Sequence, residues 1–186
     1  MANILIIGAN GQIARLVRSR LLAETPVHLT LYLRRAKRLQ QINPRRECVV
    51  EADVLDYQAL YEAMAGVDVV YANLNGPFAV LAPTIARAMV AAGVARLVYV
   101  THLAPEEADA MPAALKPRIH CTLIDPSRVQ QPTGALPEAP QHFGNLAATR
   151  RYVADLVVQT IVNPGPNSYS SLGISKLDPD TTRPGN

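Results

Sequence analysis

A glycine-containing turn near the amino terminus has the residue types and spacing that bind phosphate. It follows the apolar segment 4–7, opens a helical pattern and reads Gly8-Ala9-Asn10-Gly11-Gln12-Ile13-Ala14. Gly8 permits a tight turn, Gly11 lets the backbone approach a pyrophosphate, and Ala14 lets the helix pack closely on the strand. Free N–H groups at the helix start would bind the phosphates, so residues 8–13 predict a dinucleotide site. An ordinary turn between strand and helix is the alternative, because a glycine pattern alone has low specificity.

Arginines follow the second predicted strand, at the position where such a site selects its cofactor. An acidic residue there holds the ribose hydroxyls of NAD, whereas arginine accommodates the 2′-phosphate of NADP. The sequence has Arg34 and Arg35 at this position and Arg38 one turn later, with no Asp or Glu close by in the chain. Forked guanidinium donors suit a phosphate, so the sequence favours NADP over NAD. A solvated basic helix start is the alternative interpretation.

Two more loops are expected at the same edge of the sheet, where open α/β proteins bind ligands. Asp53 and Val54 follow the third predicted strand and are expected to meet the adenine. The fourth strand ends in Ala72, Asn73 and Leu74, where small residues would let the nicotinamide ribose lie close to the backbone. For Asn73, ligand contact and plain turn chemistry stay equally open, because asparagine favours turns.

Thr101 and His102, which follow the fifth predicted strand, are the candidates for catalysis. His102 titrates near neutral pH and would lie near a nicotinamide, which makes it the candidate acid. A solvated or structurally bonded histidine is the alternative, and Thr101 either finishes the strand or hydrogen-bonds a ligand. The other three histidines lack the spacing of a metal site, so no metal is predicted.

The basic residues are concentrated at the amino-terminal end of the chain. The first 50 residues contain nine Lys or Arg against two Glu, although the whole chain carries only +3. No nucleic-acid-binding motif accompanies this charge, and aromatic residues make up only 5% of the chain. A small phosphorylated ligand is therefore the favoured partner, and nucleic acid is not expected.

Length and composition predict one soluble domain over residues 1–186. The chain is 49% apolar, which is ample for a core, and no segment approaches the roughly 18 apolar residues of a membrane span. The start lacks the features of a secretory signal, so we expect a cytoplasmic protein with no membrane partner. Cys48 and Cys121 fall in predicted strands and are interpreted as buried core residues. A homodimer is expected, as the commonest oligomer.

Apolar runs alternate with helical patterns, which predicts an α/β fold with a Rossmann-type, doubly wound, mostly parallel sheet. Strands are predicted at residues 4–7, 27–33, 48–52, 67–72, 96–100 and 120–124, with a last one near 169–174. Helices are predicted at 11–23, from 36, at 56–64, 78–92 and 146–162. We expect residues 1–103 to form the core of this domain, 104–148 a shortened irregular segment on the substrate side, and 149–186 the last helix and strand.

Five segments carry a family resemblance: residues 4–14, 31–35, 52–54, 69–74 and 97–101. They resemble the atypical short-chain dehydrogenase/reductases, above all the NmrA-like, NAD(P)H-binding group that includes flavin and biliverdin reductase B-type enzymes. The resemblance covers about residues 1–103, and 120–126 and 149–177 look like the family's sixth strand and its last helix and strand. It implies cofactor contacts at Gly8, Asn10, Gly11, Gln12, Ile13, Arg34, Asp53 and Val54.

The sequence departs from this family where its chemistry usually lies. Many members have a serine after strand five and a Tyr-x-x-x-Lys pair on the next helix. Here Thr101 takes the serine position, no tyrosine is followed four residues later by lysine, and only residues 104–118 separate strands five and six. We therefore expect an NADPH-dependent oxidoreductase that reduces a small acceptor such as a quinone, or a flavin acting as substrate, without this pair. A non-catalytic NADP-sensing module of the NmrA type, or a relative that keeps only the fold, is the alternative.

Overall fold

The computed structural model describes residues 1–100, 118–126, 146–163 and 174–177. The strands are β1 (Asn3–Ile7), β2 (His28–Leu33), β3 (Glu47–Glu51), β4 (Val69–Asn73), β5 (Arg96–Val100), β6 (His120–Ile124) and β7 (Ile174–Leu177). The helices are α1 (Gln12–Glu24), α2 (Tyr57–Ala63), α3 (Phe78–Ala92) and α4 (Leu146–Val162), and one 3₁₀ turn covers Ala36–Arg38.

The strands form one sheet in the order β3-β2-β1-β4-β5-β6-β7. The first six strands are parallel, and β7 pairs with β6 in the antiparallel direction. The order reverses between β1 and β4, which makes the sheet doubly wound and leaves a crevice at the carboxyl ends of these two strands. The predicted Rossmann-type, mostly parallel α/β fold is confirmed.

Two apolar layers cover the two faces of the sheet. Ile4 and Ile6 of β1 face one cluster with α1 and α4, whereas Leu5 and Ile7 face the other with α2 and α3. Burial on both faces explains why β1 is a continuous apolar run without polar alternation. Ala14 is fully buried in the first cluster, so α1 packs closely on the sheet within its first turn.

Two helix ends are stabilised by residue types that favour such ends. The Asp56 side chain accepts a hydrogen bond of 3.1 Å from the Ala59 N–H and caps α2. Gly93, with φ of +74°, ends α3 in the left-handed conformation.

The predicted burial of Cys48 needs correction. Cys48 is exposed, because β3 is the edge of the sheet, whereas Cys121 is buried on β6 and burial raises its thiol pKa to about 12. The last described strand is Ile174–Leu177, and only residue 174 of the predicted stretch 169–174 is described.

In the described ranges, no helix has both the length and the apolar character that a bilayer crossing requires.

Candidate functional site

A cleft of about 620 Å³ opens at the carboxyl ends of β1, β2, β3 and β4. It lies beside the point where the strand order reverses, the usual ligand position in doubly wound sheets. Ten of the fourteen predicted cofactor residues line it: Gly8, Asn10, Gly11, Arg34, Arg35, Arg38, Asp53, Val54, Asn73 and Leu74. Residues from four separate loops therefore meet in one space.

The other predicted site residues are placed differently. Ala9 and Ala72 are fully buried in the apolar clusters and are not among the residues that line the cleft. Gln12 is exposed at the start of α1, and Ile13 packs partly buried against the first cluster. Thr101 and His102 lie outside the described residues.

The glycine turn, residues 8–11, has a backbone that only glycine adopts easily at its first position. Gly8 has φ of +78°, and its N–H donates a 2.9 Å hydrogen bond to the Tyr32 carbonyl. A Cβ at Gly8 would lie 2.2 Å from the backbone oxygen of Asn73. Both the turn and the close contact with the end of β4 therefore require glycine at position 8.

The start of α1 is open toward an anion. Gly11 precedes the helix in an extended conformation, no described side chain caps it, and the first turn contains no acidic residue. The first N–H groups of a helix lack partners within the helix and carry partial positive charge. This arrangement fits a pyrophosphate, whose oxygens would accept from these N–H groups.

Asn73 gives Gly11 a role that the sequence did not indicate. A Cβ at Gly11 would lie 2.1 Å from the Asn73 Nδ2 atom, so the missing side chain makes room for this amide.

The Asn10 Oδ1 atom accepts hydrogen bonds from Arg15 Nε at 3.1 Å and Nη2 at 2.7 Å. Arg15, absent from the predicted site, thus places a guanidinium beside the glycine turn.

The arginine turn, residues 34–38, forms the basic wall of the cleft. The Arg34 Nη1 atom lies 3.8 Å from Asp53 Oδ2, and the Arg34 side chain is 78% exposed. Arg35 and Arg38 are exposed and pair with none of the described acidic side chains. Residues i and i+3 of a 3₁₀ turn lie on the same side, so these two guanidinium groups can approach one phosphate together.

Carboxylates lie closer to the arginine turn than the sequence indicated. The Glu51 Oε2 atom accepts a 3.1 Å hydrogen bond from the Ala36 N–H. The parallel register pairs Leu33 with Glu51, which brings the end of β3 beside the end of β2. The Asp53 Oδ1 atom accepts from the Leu55 N–H at 2.9 Å. Both carboxylates therefore have backbone partners in this structure.

Tyr32 joins two walls of the cleft, although the sequence analysis treated it only as part of a strand. Its hydroxyl donates a 2.7 Å hydrogen bond to the backbone oxygen of Asp53, while its own carbonyl accepts from Gly8. Burial, with the negative charges of Asp56 and Asp53, raises the Tyr32 pKa to about 12, so the hydroxyl stays a donor. A tyrosine ending an apolar strand was the available signal, because a buried hydroxyl needs a partner.

Part of the basic excess has a structural role and does not face the cleft. Arg46 donates to the backbone oxygens of Leu22, Thr25 and Val27 at 2.5–3.0 Å. Arg20 pairs with Glu24 and Asp155 and so joins α1 to α4.

Within the described residues, no group of three or more His, Cys, Asp or Glu could hold a metal ion.

The doubly wound sheet, the glycine turn at the start of α1 and the basic cleft define the class of Rossmann-fold NAD(P)-binding proteins. A family model described as NAD(P)H-binding matches residues 8–131, about two thirds of the chain. The chain therefore belongs to this NAD(P)H-binding family. No curated protein sequence matches the chain significantly.

Solved structures of similar size share the fold over nearly the whole chain. A Rossmann-fold NAD(P)-binding family protein from Shigella flexneri is 29% identical, with a TM-score of 0.71 over 95% of this chain and 92% of that one. A short-chain dehydrogenase/reductase from Veillonella parvula DSM 2008, solved with NADP, is 21% identical, with a TM-score of 0.67 over 97% and 96%. ChuY, an anaerobilin reductase from Escherichia coli O157:H7, is 16% identical, with a TM-score of 0.65 over 99% and 100%. The NAD(P)H-binding part of the predicted resemblance is confirmed, and the short-chain reductase and NmrA-like assignments stay predictions.

Proposed function

We propose that this protein is an NADPH-dependent reductase that transfers hydride to a small conjugated acceptor such as a flavin or a quinone. The observation that carries the proposal is the joint placement of the open α1 start and the arginine turn in one cleft. The first group suits a pyrophosphate and the second suits an additional phosphate. The reductases among the structural neighbours support the reaction class.

The chain's own residues divide the binding of the cofactor among the four loops. Backbone N–H groups at the start of α1, from Gln12 and Ile13, would hold the pyrophosphate, and Arg34, Arg35 and Arg38 would hold the 2′-phosphate. Asp53 and Val54 would border the adenine, and residues 72–74 would border the nicotinamide ribose. When bound, NADPH supplies the hydride.

An acceptor that delocalises charge reduces the need for a protein acid. A quinone or flavin gains a hydride and one proton, and the negative charge between these two steps spreads over a conjugated system. The protein then contributes mainly proximity and orientation, which are worth several kcal/mol of the barrier, on the order of 7 in favourable cases. The proton would come from solvent or from His102, with Thr101 as a hydrogen-bonding partner of the acceptor.

The direct test is steady-state oxidation of NADPH by the purified protein with a panel of flavins and quinones. We expect turnover with at least one acceptor and a lower KM for NADPH than for NADH. Tight binding of NADPH without reduction of any acceptor would contradict the reductase proposal while leaving the cofactor site in place. Failure to bind any dinucleotide in calorimetry would favour a relative that keeps only the fold.

A non-catalytic NADP-sensing module is the second candidate. The observation in its favour is that no tyrosine in the chain is followed four positions later by lysine. Such a module would bind NADPH and NADP⁺ without turnover. Its affinity for a partner would depend on which of the two forms is bound. Calorimetric titration of both forms, beside the turnover assay, separates the two candidates.

A further inference from the structure

The connecting segment, residues 39–46, leads from the arginine turn to β3 and is mostly exposed. Gln40, Gln41, Ile42 and Asn43 are all exposed, so they gain little from burial of their own side chains. Gln41 also has φ of +52°, a conformation that is unfavourable for a residue with a side chain. Contacts with the rest of the protein must therefore hold this segment in place.

A buried ion pair supplies these contacts. The Glu47 side chain is fully buried and the Arg18 side chain is 11% exposed. Arg18 Nε lies 2.5 Å from Glu47 Oε1, and Nη2 lies 2.8 Å from Oε2, which is the two-pronged geometry of strong guanidinium-carboxylate pairs. Burial opposes ionisation of Glu47, but hydrogen bonds from Arg18 and from the Asn43 amide outweigh it and lower the carboxyl pKa.

The same two side chains bind the backbone of the connecting segment. Arg18 donates from Nη1 to the Gln40 oxygen at 3.1 Å and from Nη2 to the Gln41 oxygen at 2.9 Å. The Glu47 Oε2 atom accepts from the Asn43 N–H at 2.7 Å. The segment is therefore attached at three successive points, starting two residues after Arg38.

We propose that Arg18 and Glu47, which do not line the cleft, are positioning residues that set the preference for NADPH over NADH. The inference rests on the proposed function, because it assigns the 2′-phosphate to the arginine turn. Arg35 and Arg38 are long and exposed, and their backbone is held on one side by β2 and on the other by the connecting segment. Holding the backbone in place reduces the entropy lost when these side chains bind a phosphate.

The two cofactors report on this effect separately. NADH lacks the 2′-phosphate, so its binding depends on the glycine turn and the loops after β3 and β4. Releasing the connecting segment should therefore weaken the binding of NADPH and leave the binding of NADH unchanged. General damage to the fold would weaken the binding of both.

The test is the double variant Arg18→Met with Glu47→Leu, measured by calorimetric titration with NADPH and NADH. Apolar replacement of a buried ion pair commonly preserves folding. It also removes the side-chain bonds from Arg18 to residues 40 and 41 and from Glu47 to residue 43. We expect the Kd for NADPH to rise about tenfold and the Kd for NADH to stay within about twofold, so the preference collapses. Trypsin should also cleave after Arg38 and Arg45 faster than in the wild type. Arg20→Met, on the same helix, is the control and should change neither Kd.

The outcomes distinguish this inference from the proposed function. If the wild type binds no NADPH, or binds NADPH and NADH equally, the proposed function fails. If the wild type prefers NADPH and the double variant keeps the full preference, the positioning inference alone is overturned. Should the double variant not fold, Arg18→Lys takes its place, since lysine keeps the charge but cannot span both Glu47 and the two carbonyls. A preference in Arg18→Lys equal to that of the wild type would likewise overturn the inference.

Discussion

The Tyr32 hydroxyl donates a 2.7 Å hydrogen bond to the backbone oxygen of Asp53, across the gap between the ends of β2 and β3. The Tyr32 carbonyl accepts from Gly8 on its other side, so one residue connects the glycine turn with the loop proposed to border the adenine. The Asp53 oxygen also accepts from the Asp56 N–H at 3.0 Å, which keeps it partly satisfied when Tyr32 is changed.

Tyr32→Phe should loosen this connection without unfolding the protein. We expect the free energy of unfolding to fall by about 1 kcal/mol, the usual net contribution of one hydrogen bond. Dinucleotide binding should weaken a few-fold, for NADH as much as for NADPH, because the change affects both cofactors alike. Urea unfolding and calorimetry measure the two effects, with the exposed Tyr61→Phe as control. Equal stability of Tyr32→Phe and the wild type would show that the bond contributes nothing.

Gly8→Ala should be far more damaging than an alanine at another glycine with the same backbone conformation. Gly66 has φ of +70° and nothing within 4 Å of its added Cβ, so Gly66→Ala should cost only about 1–2 kcal/mol. At Gly8 the Cβ also meets the Asn73 oxygen at 2.2 Å, so we expect a loss of at least about 3 kcal/mol. Urea unfolding of both variants measures how much the contact with Asn73 adds to the loss of stability. Equal losses would mean that β4 moves away from the added Cβ at no cost in free energy.

Arg34→Glu should remove the preference for the 2′-phosphate. The reversed charge repels the phosphate and also lies beside Asp53, whose carboxylate is 3.8 Å from the native guanidinium. We expect NADPH affinity to fall at least about tenfold, or about 1.4 kcal/mol, with NADH affinity nearly unchanged. Arg45→Glu changes the net charge equally on the connecting segment, away from the cleft lining, and should have a much smaller effect. A similar loss of NADPH affinity in Arg34→Glu and Arg45→Glu would indicate that long-range electrostatics governs the binding of NADPH, and not a phosphate site at Arg34.

Glu51→Gln should strengthen the binding of NADPH. The amide oxygen of glutamine can still accept from the Ala36 N–H, while the negative charge beside the arginine turn disappears. We expect the Kd for NADPH to fall about two- to fivefold at low salt and less at high salt, since added ions screen exposed charges. Glu62→Gln on α2 is the charge-matched control. Weaker binding in Glu51→Gln would indicate that the carboxylate itself orders the turn.

Acid should weaken the fold partly through Glu47. Its folded-state pKa lies below the ordinary value of 4.5, so the ionised carboxylate stabilises the fold above that pH. This contribution decreases as the pH falls from about 4.5 through the lower folded-state pKa. Urea midpoints measured from neutral pH downward should therefore decline more steeply in the wild type than in the Arg18→Met, Glu47→Leu variant. Parallel declines would assign the acid sensitivity to other carboxyl groups.

Short-range sequence patterns were sufficient to predict the helices and strands and the glycine turn. Asp56 and Gly93 act on neighbours within a few residues, so their roles as helix caps follow directly from the sequence. The apolar run of β1 and the glycines after it likewise indicated the fold and the principal loop of the cleft.

Pairings between distant residues were not predicted. Glu51 reaches Ala36, Tyr32 reaches Asp53 and Arg18 reaches Glu47 only because β3 packs beside β2 in one particular register. Cys48 was misplaced for a similar reason, since the strand order that makes β3 an edge is a global property. A five-residue strand such as β3, with Cys48, Val49 and Val50 between two glutamates, has the same sequence pattern at the edge of a sheet as at its centre.

Every described residue that lines the cleft falls between Ile7 and Leu81. The lining of the cleft in the described ranges is thus contiguous in sequence and lies upstream of the stretch where the resembled family usually places its acid and base. Under the proposed function, insertion, deletion or exchange of later sequence would then change the acceptor and leave the described lining of the cleft unchanged.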